Sequence, residues 1–504
     1  MSQLTIQQAF ELAQQHQQSG RLHDAQQFYQ QVLAEQPAHA GALHCLGVVA
    51  HQQGQNGVAV DLIRRAIALN PELPEAHKDL ATALRKAGQF DEAIAACGQA
   101  IALRPDYAEA HNTLANILKD QGRLDEAIAA YRRAIALRGN FAQAYSGLGS
   151  ALHAQRKLDE AISAQRQAIQ IKPDFAVAHV QLARVLRDKG QLEEALAAYT
   201  QAVALMPGWG DFHARRGGLL LEMGRVAEAV AACRRAVELA PAQAFTHRIL
   251  SQALDKAGDR EEAIRSLREA HRLDPASQQI TFELAALLGD GSMPSAPIGI
   301  VRELFDRYSQ GFEDHLVRAL QYRGPEQLRT AIQSITSRTD MDVLDLGCGT
   351  GLCGVELRPM ARRLVGVDLS PGMLERCAEK SIYDELIEGD ITQALLPISE
   401  QWDLIVAGDV MVYIGDLSGV LPAAAAALRP GGWLAFTLER YDGAGFCLGT
   451  SLRYSHSLEY IRELAGRAGL AEVLAQEVTL RFQSKAPVAG WIVVLQKDAE
   501  TCPV

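Results

Sequence analysis

A glycine-rich turn after a short apolar run carries the strongest chemical signal in this chain of 504 residues. The run 343–346 predicts a buried strand, and a helical pattern follows the turn. Gly347, Gly349 and Gly351 let the turn run tight and expose backbone amides to a ligand. Asp368 ends the next apolar run, at a distance beyond the turn that is typical of a carboxylate that binds ribose hydroxyls. The pattern predicts a nucleotide-type ligand.

Three interpretations of this turn compete. A dinucleotide site needs glycine at the first, third and sixth positions, yet the sixth position counted from Gly347 is Leu352. Asp345, just before the turn, would repel a pyrophosphate and suits a cationic ligand. An ordinary glycine-rich turn in an unrelated α/β domain is the third interpretation. The pattern D-x-G-x-G-x-G resembles motif I of the class I S-adenosylmethionine (SAM)-dependent methyltransferases, whose ligand carries a sulfonium and an ammonium group.

The resemblance implies a set of SAM contacts. They are backbone atoms of Gly347, Cys348, Gly349 and Gly351 at the methionine portion, Asp345 at the ammonium group, directly or through water, Asp368 at the ribose, Leu369 and Met373 at the adenine ring, Asp390 and Ile391 at the adenine amino group, and Gly408 and Asp409 beside the sulfonium. Plainer interpretations stay open for three of them. Cys348 fills a tight turn rather than acting as a reactive thiol, Asp390 caps a turn, and Met373 is helix core.

Strands and helices alternate through the second half of the chain. We predict strands at 342–346, 363–368, 385–388, 403–407, 432–439, 473–482 and 490–496, and helices at 351–358, 371–380, 417–428 and 456–467. Such alternation predicts a mostly parallel sheet with crossover helices. The last two strands, split by residues 483–487, predict an antiparallel hairpin that resembles the end of a class I methyltransferase sheet.

The first half of the chain is periodic. Prolines recur at a fixed period with Gly139 in place of one, and an alanine stands at a constant offset before each of these positions, at Ala25, Ala59, Ala93, Ala127, Ala161, Ala195, Ala229 and Ala263. The spacing, roughly 34 residues, resembles the tetratricopeptide repeat (TPR), a helix–turn–helix unit. We expect about eight units in residues 1–277, a capping helix and linker at 278–299, and the methyltransferase domain with a helical lid at 300–504. Stacked repeats leave a concave face.

That concave face carries the polar residues most suited to a partner. We place there Lys78, Arg85, Asn112, Asn116, Lys119, Ser146, His153, Arg184 and Arg187. Such a mildly basic groove would hold an acidic peptide or a chain terminus, although a solvated helix face without a ligand fits equally well. Recurring histidines at 44, 77, 111, 179 and 213 keep one-per-unit spacing, which is too wide for a metal site.

Residues around 304–325 resemble the lid of a bacterial group of TPR-fused predicted methyltransferases. This resemblance implies that Tyr308 and Tyr322 close over the ligands, with the aromatic core of a helix hairpin as the alternative. Tyr454 and His456, expected at the start of the helix over 456–467, are the best general-base candidates because histidine titrates near neutrality. A plain helix N-terminal region is the alternative for both.

Charge and composition exclude several classes of function. The net charge is −11, of which residues 301–504 hold −9, so the acidic second half is a poor match for nucleic acid. Eight scattered cysteines without C-x-x-C pairs indicate reduced thiols. Apolar stretches are too short for a membrane span, and no signal peptide is visible. We therefore expect a cytoplasmic protein without nucleic acid or membrane partners.

These features predict a multidomain fold, an all-α TPR solenoid followed by an α/β Rossmann-like class I methyltransferase domain. The favoured function is methyl transfer from SAM to a small molecule or a protein side chain, with the array binding a protein partner and no metal involved. The alternative is a TPR scaffold whose methyltransferase fold binds SAM with little or no turnover. An NAD-dependent oxidoreductase is a third hypothesis.

Overall fold

The computed structural model describes residues 5–289, 293–309, 312–313, 316–317, 320–395, 401–483 and 486–498, except the side chains of residues 307 and 308. The chain divides into two compact units, Met1–Pro241 and Ala242–Val504. Among the described residues the first unit is all-helical and the second combines helices with a nine-stranded sheet. This architecture confirms the predicted fold class.

Helices of 13 and 14 residues alternate through the described part of the first unit. Their bounds are α1 Ile6–Gln18, α2 Leu22–Glu35, α3 Ala40–Gln52, α4 Asn56–Leu69, α5 Pro74–Lys86, α6 Phe90–Leu103, α7 Ala108–Asp120, α8 Leu124–Leu137, α9 Ala142–Ala154, α10 Leu158–Ile171, α11 Ala176–Asp188, α12 Leu192–Leu205, α13 Gly210–Glu222 and α14 Val226–Leu239. The alanines of the repeat pattern, from Ala25 to Ala263, all have no exposed surface. Their small side chains let neighbouring helices approach closely.

The second unit begins with three helices, α15 Ala244–Ala257, α16 Arg260–Leu273 and α17 Gln278–Leu288. The Ser277 hydroxyl caps α17 by accepting from the Ile280 amide (3.4 Å), and Gly289 ends the helix in the left-handed conformation. This helix occupies the predicted capping segment. The predicted end of the array, residue 277, lies inside the second unit, and the domain limits stay a prediction.

The nine strands form one sheet in the order β3-β2-β1-β4-β5-β7-β6, with β9 paired to β5 and β8 to β9. Strand bounds are β1 Met341–Leu346, β2 Ala361–Asp368, β3 Glu385–Glu388, β4 Trp402–Ala407, β5 Leu428–Arg440, β6 Phe446–Leu448, β7 Tyr454–His456, β8 Leu470–Gln483 and β9 Ala486–Lys497. The remaining helices are α18 Ile298–Tyr308, α19 Gly324–Ile335, α20 Leu352–Leu357, α21 Pro371–Glu379, α22 Ile391–Leu395, α23 Val420–Ala427 and α24 Leu458–Arg467. The antiparallel β8–β9 hairpin confirms the predicted one.

One local prediction in this unit is wrong. Residues 453–456 do not begin a helix, because Tyr454–His456 is β7, which pairs with β5 and β6. The helix α24 starts two residues later, where the Ser457 hydroxyl accepts from the Tyr460 amide (3.3 Å). The short elements β6 and α22 were not predicted either. Three-residue strands have no readable periodicity and depend on distant partners.

The two ends of the parallel strands differ in character. At the amino ends of β1 and β4, Asp342 and Asp403 both bind the Arg429 guanidinium (2.8 and 2.7 Å), and Asp403 also accepts from the Asp342 amide (2.8 Å). At the carboxyl ends, the chain leaves β1 for α20 on one face of the sheet and leaves β4 for α23 on the other face. Open α/β sheets bind ligands at such a switch point.

Candidate functional site

A cavity of about 410 Å³ lies at the carboxyl ends of the parallel strands. The glycine turn, the ends of β2 and β4, helix α18 and the segment before it line this cavity. Ten of the residues predicted to bind the cofactor lie on its wall: Tyr322, Gly347, Cys348, Gly349, Asp368, Leu369, Asp390, Ile391, Gly408 and Asp409. Asp345, Gly351, Met373, Tyr454 and His456 do not line it.

The glycine turn exposes its backbone to the cavity. Gly347, Gly349 and Gly351 all adopt positive φ angles (66°, 54° and 88°), which side chains disfavour. A Cβ atom at Gly349 would meet only the Phe312 ring, at 4.0 Å, because this part of the turn faces open space. A ligand can therefore approach the backbone here as the sequence predicted.

Asp368 ties the second strand to this turn. One of its carboxylate oxygens accepts from the Gly349 amide (2.8 Å) and the other from the Ser370 amide (2.9 Å). Burial raises the pKa of this carboxyl, and the two amide hydrogen bonds oppose that rise. Each oxygen keeps a lone pair for a further donor. The side chain can hold the turn and accept from a ligand at once.

Asp345 lies behind the turn and not on the cavity wall. Its side chain has no exposed surface; Oδ2 accepts from the Tyr383 hydroxyl (2.5 Å) and Oδ1 has no partner among the described groups. Burial raises its pKa from 3.8 to about 7, with a smaller contribution from the Asp368 charge. In this arrangement Asp345 does not reach the cavity and so does not contact a ligand ammonium group directly. Only the ionised form of Asp345 would act on the cavity through its charge.

Apolar side chains and a carboxylate line the cavity beside β2 and α22. Leu369 and Ile391 line it, and Asp390 caps α22 by accepting from the Thr392 amide (2.9 Å). Asp390 therefore caps this helix and also borders the cavity, and its contact with the adenine amino group stays a prediction. Met373 is fully buried in α21 and is helix core rather than a ring contact.

Cys348 is a small buried residue of the turn. It is 5% exposed, and a hydrogen bond with Cys377, together with burial, raises the pKa of its thiol. A thiol held protonated is a poor nucleophile. The plainer of the two sequence interpretations therefore fits the structure.

The predicted linker supplies part of the cavity wall. Its described residues 293–297, called the strap below, run alongside the loop that follows β4. Ser295 bridges to Ile414, the Ala296 amide donates to the Tyr413 carbonyl (2.9 Å), and the Pro294 carbonyl accepts from the Gly415 amide (2.8 Å). Sequence analysis missed this contact because prolines and glycines there indicate only a turn.

Aromatic side chains cover the middle of the cavity. Phe305 of α18 packs edge-on against Phe312 (5.9 Å between ring centroids) and Tyr413 (5.4 Å). Tyr322 is 8% exposed and its hydroxyl has no partner among the described groups, although it lines the cavity. An unpaired buried donor fits a ligand group. The predicted Tyr308 contact lies outside the described side chains.

A buried charge cluster supports the loop after β4. Asp409, which has a positive φ of 60°, accepts from Arg453 (2.5 Å) and Arg481 (3.1 Å). Glu439 binds the same two arginines, and Arg453 also donates to the Tyr413 hydroxyl (3.1 Å). Two cations balance two anions, and the cluster holds both Asp409 and Tyr413 at the cavity. Neither arginine was predicted, since each reaches Asp409 from a distant segment of the chain.

Tyr454 and His456 hold the strap and the loop in place. The Tyr454 hydroxyl donates to the Met293 carbonyl (3.0 Å), and His456 Nε2 contacts the Ile414 and Gly415 carbonyls (2.9 and 3.0 Å). Burial lowers the pKa of His456 to about 4 and raises that of Tyr454 to about 12. A neutral ring whose nitrogen faces two carbonyl oxygens donates to them. The structure therefore gives both residues a positioning role where we had predicted a general base.

The charged residues on the described cavity wall are all acidic: Asp368, Asp390, Asp409 and Asp416. Asp409 is compensated by Arg453 and Arg481, which do not line the cavity, so the other three carry the negative charge of the wall. No lysine, arginine or histidine belongs to that described wall. Such a surface attracts a cation and repels an anionic ligand. Aromatic rings beside it favour a cation further.

Most cations predicted on the concave face of the array already have acidic partners. Lys78 binds Asp79, Arg85 binds Asp120 (3.1 Å) and Arg187 binds Glu222 (2.5 Å). The amides and hydroxyl of the predicted face are largely buried: Asn116 accepts from Tyr131 (2.7 Å), Ser146 is 6% exposed, and Asn112 has a buried oxygen without a partner among the described groups. Lys119, His153 and Arg184 line a second cavity, of about 490 Å³.

The recurring histidines are structural. Nε2 of four of them contacts the carbonyl of a proline in the preceding turn, as in His77 to Pro71 (2.9 Å) and His179 to Pro173 (3.0 Å). His44 is one position out of register and binds Asp79 instead (2.8 Å). Within the described residues no group of three or more histidine, cysteine or acidic side chains could hold a metal. No described helix is long and apolar enough to cross a membrane.

Comparisons with known proteins agree with this architecture. A methyltransferase-domain model matches residues 343–432, and TPR models match 10–74, 81–122, 115–156, 142–175 and 180–244. Human methyltransferase-like protein 27 is 32% identical over 181 residues, 34% of this chain and 67% of that protein. Malonyl-[acyl-carrier protein] O-methyltransferase of Yersinia pestis is 30% identical over 106 residues, 21% of this chain.

The chain spans only 39% of that Yersinia relative. The match to one solved structure, the APC/C hetero-tetramer Cut9–Hcn1, covers 55% of this chain and 54% of the matched chain. The two chains are 17% identical, with a TM-score of 0.44. The family follows from the domain match, the human relative and the sheet with its glycine turn. The chain belongs to the class I methyltransferases, a family whose cosubstrate is SAM, and it carries an array of tetratricopeptide repeats.

Proposed function

We propose that this protein transfers a methyl group from SAM to a small molecule or a protein side chain. The observation that carries the proposal is the contact between the Gly349 amide and the Asp368 carboxylate on one cavity wall (2.8 Å). This contact brings exposed backbone and a carboxylate together at the carboxyl ends of the strands, which supports a site for the methionine and ribose portions of SAM.

Several residues would hold SAM in this cavity. The turn from Gly347 to Gly349 suits the methionine portion, Asp368 the ribose, and Leu369 with Asp390 the adenine ring. SAM would supply an electrophilic methyl group, and the acidic wall would balance its sulfonium charge. The unpaired Tyr322 hydroxyl is a hydrogen-bond donor for the ligands.

The same wall defines the acceptor. Beyond the SAM contacts it includes the apolar side chains of Val301, Phe305, Leu316 and Val420 beside the polar Asp416 and Ser418, and its described part has no basic side chain. An acceptor that is largely apolar, and neutral or cationic at the reacting atom, fits such a wall. Methyl transfer needs mainly alignment and exclusion of water, which helix α18 and the strap provide.

The TPR array would bind a protein or peptide partner, as TPR proteins do. We propose that this partner brings the acceptor, or is the acceptor, for the methyltransferase unit. A cytoplasmic location fits the proposal and stays a prediction.

Calorimetry with SAM and S-adenosylhomocysteine tests the first step. We expect binding heat with both ligands, and the absence of binding heat with both of them would overturn the proposal. Tritiated SAM incubated with host lysate then tests transfer. Label in the protein or metabolite fraction supports it, SAM binding without transfer favours the scaffold alternative, and label in nucleic acid contradicts the acceptor class.

A further inference from the structure

A small cavity of about 90 Å³ lies in the second unit, apart from the cavity at the glycine turn. Its wall combines the helices α15 and α16 of the last repeat, the capping helix α17, and the turn between β6 and β7, which contributes Thr450 and Leu452. A repeat array without the sheet would lack the last of these walls. The cavity is therefore a feature of this combination of domains.

Glu283 lines this cavity with a carboxylate oxygen that has no partner among the described groups. The residue is 8% exposed, and its Oε2 is both buried and unpaired. Its Oε1 accepts from Arg248 (2.9 Å), Gln252 (3.2 Å) and Gln279 (3.1 Å). A buried acceptor without a donor has lost its hydration without compensation. The cavity offers the space in which a bound donor would pair with Oε2.

Asp255, on the same wall, reverses a charge that most repeats keep. The position that recurs with the repeat period is basic in five of the seven preceding repeats, at His51, Arg85, Lys119, His153 and Arg187. A basic residue in the last turn of a helix is favoured by the helix dipole, and an acidic one is disfavoured. Asp255 keeps the disfavoured charge and has no ion-pair partner among the described residues.

The electrostatic surroundings of the cavity favour a cation. Asp255 lies in the last turn of α15 and Leu287 in the last turn of α17, so the negative ends of two helix dipoles meet at this wall. No lysine, arginine or histidine belongs to its described part. Arg248, which binds Glu283, and Arg260, which donates to the Leu287 carbonyl (2.8 Å), do not line the cavity. Arg248 balances the charge of Glu283, and that of Asp255 remains.

An alkylammonium group matches the oxygen atoms of this wall. Its three N–H donors suit Oε2 of Glu283, the Asp255 carboxylate and the Ser251 hydroxyl, which donates to the Ala263 carbonyl (2.8 Å) and can still accept. The volume corresponds to roughly three water molecules, which leaves room for the ammonium group and one or two carbons. A water molecule would pair with Oε2 but leave the charge of Asp255 without balance.

A metal ion fits this wall less well than an ammonium group does. Calcium takes about six to eight oxygen ligands, and the described residues contain no group of three or more histidine, cysteine or acidic side chains that could hold a metal. We propose that Asp255 and Glu283 form a binding site for an alkylammonium group, carried by a small amine or by the tip of a lysine side chain. The site goes beyond methyl transfer and does not depend on SAM binding.

Saturation-transfer difference NMR with ethylammonium chloride and the full chain, at constant ionic strength, tests the site. We expect saturable binding with a dissociation constant of about 1 mM or above, since a ligand of three non-hydrogen atoms gains little more. The constant should rise at least about fivefold in Asp255→Asn and in Glu283→Gln, because each change removes a charge-assisted hydrogen bond. Asp255 is partly exposed, so its variant keeps the test valid if Glu283→Gln lowers stability.

The matched control is Asp259→Asn, which removes the same charge from an exposed residue that makes no side-chain cap at α16 and should bind as the wild type does. A second ligand, acetylated glycyl-lysyl-glycine amide, distinguishes the two sources. Tighter binding than that of ethylammonium assigns the site to a lysine side chain, and weaker binding assigns it to a small amine.

Four results would overturn the site. They are no saturation up to about 50 mM ethylammonium, wild-type affinity in Asp255→Asn, equal weakening in Asp259→Asn, or equal competition by tetramethylammonium, which has the charge but no N–H donor. Calorimetry with SAM on the same variants keeps the two proposals apart. If SAM still binds while ethylammonium does not, only the ammonium site fails.

Discussion

Replacing Asp345 by asparagine should stabilise the ligand-free protein, and increasingly so as the pH rises. Burial raises the pKa of this carboxyl from 3.8 to about 7, so the folded chain holds a proton that the unfolded chain has lost. Stability linked to this group is therefore present below about pH 4 and is lost as the pH rises through 7. Between pH 5 and 7 the loss is about 2.5 kcal/mol, from about 1.4 kcal/mol for each pH unit.

Thermal unfolding of the Asp345→Asn variant and the wild type, at several pH values from 5 to 8, measures this effect. The difference between their midpoints should grow by about 5 °C or more, given about 2–4 °C per kcal/mol for a unit of this size. A full shift would require that asparagine keep the hydrogen bond from the Tyr383 hydroxyl (2.5 Å), which its amide oxygen can accept.

Asp342 provides the matched control on the same strand. Its hydrogen bond from Arg362, with a second from Arg429, lowers the pKa of its carboxyl, so it is ionised in both states above pH 5. The Asp342→Asn variant should lose stability by a constant amount from pH 5 to 8. Parallel curves for Asp345→Asn and the wild type would refute the reasoning.

The same carboxyl should make SAM binding depend on pH. A cationic ligand favours the ionised form of Asp345, so affinity should rise by at most about tenfold from pH 6 to 8 if only that form binds. Calorimetry at both pH values measures the change, and Asp345→Asn should remove it. A rise of the same size in the variant would assign the effect to another group.

Three further predictions concern the cavity and the residues that support it. Asp368→Ala should weaken S-adenosylhomocysteine binding about 100-fold or more in calorimetry, since two hydrogen bonds to a charged group contribute roughly 3 kcal/mol. The control is Asp384→Asn, at the other end of the sheet. An affinity of Asp368→Ala within a few-fold of the wild type would contradict the role of Asp368. Because the pKa of His456 is lowered to about 4, the wild type should lose stability as the pH falls below 6.5. In His456→Gln the thermal midpoint should depend less on pH between 6.5 and 4. The same pH dependence in the variant and the wild type would exclude this residue as the cause. Arg481→Met should destabilise the second unit by about 1–3 kcal/mol in urea unfolding, because it leaves two partly exposed carboxylates, Asp409 and Glu439, with one arginine. An unchanged free energy of unfolding would contradict this role of Arg481.

The parts of the fold and site that could be predicted are those that depend on residues close together in the sequence. The repeat array follows from a fixed period, because each alanine of the pattern meets the same neighbours in every repeat. The glycine turn and Asp368 follow from a strand, a turn and a second strand that pairs with the first in parallel. Their relative position is fixed within one short, continuous segment of chain.

The support of the site could not be predicted because it depends on distant pairings. Tyr454 binds the carbonyl of Met293, far earlier in the chain, and Ser295 bridges to Ile414. A three-residue strand such as Tyr454–His456 has too few positions to show alternation. Sequence alone therefore indicated polar candidates for catalysis where the structure uses them to position the strap and the loop after β4.

A crystal structure of the full chain with S-adenosylhomocysteine tests the central claim most directly. The account predicts the ligand in the cavity at the carboxyl ends of the strands, with its ribose hydroxyls in hydrogen-bonding distance of Asp368 and its amino acid portion along Gly347 to Gly349. A ligand bound elsewhere, or a cavity that stays empty at saturating ligand, would contradict it.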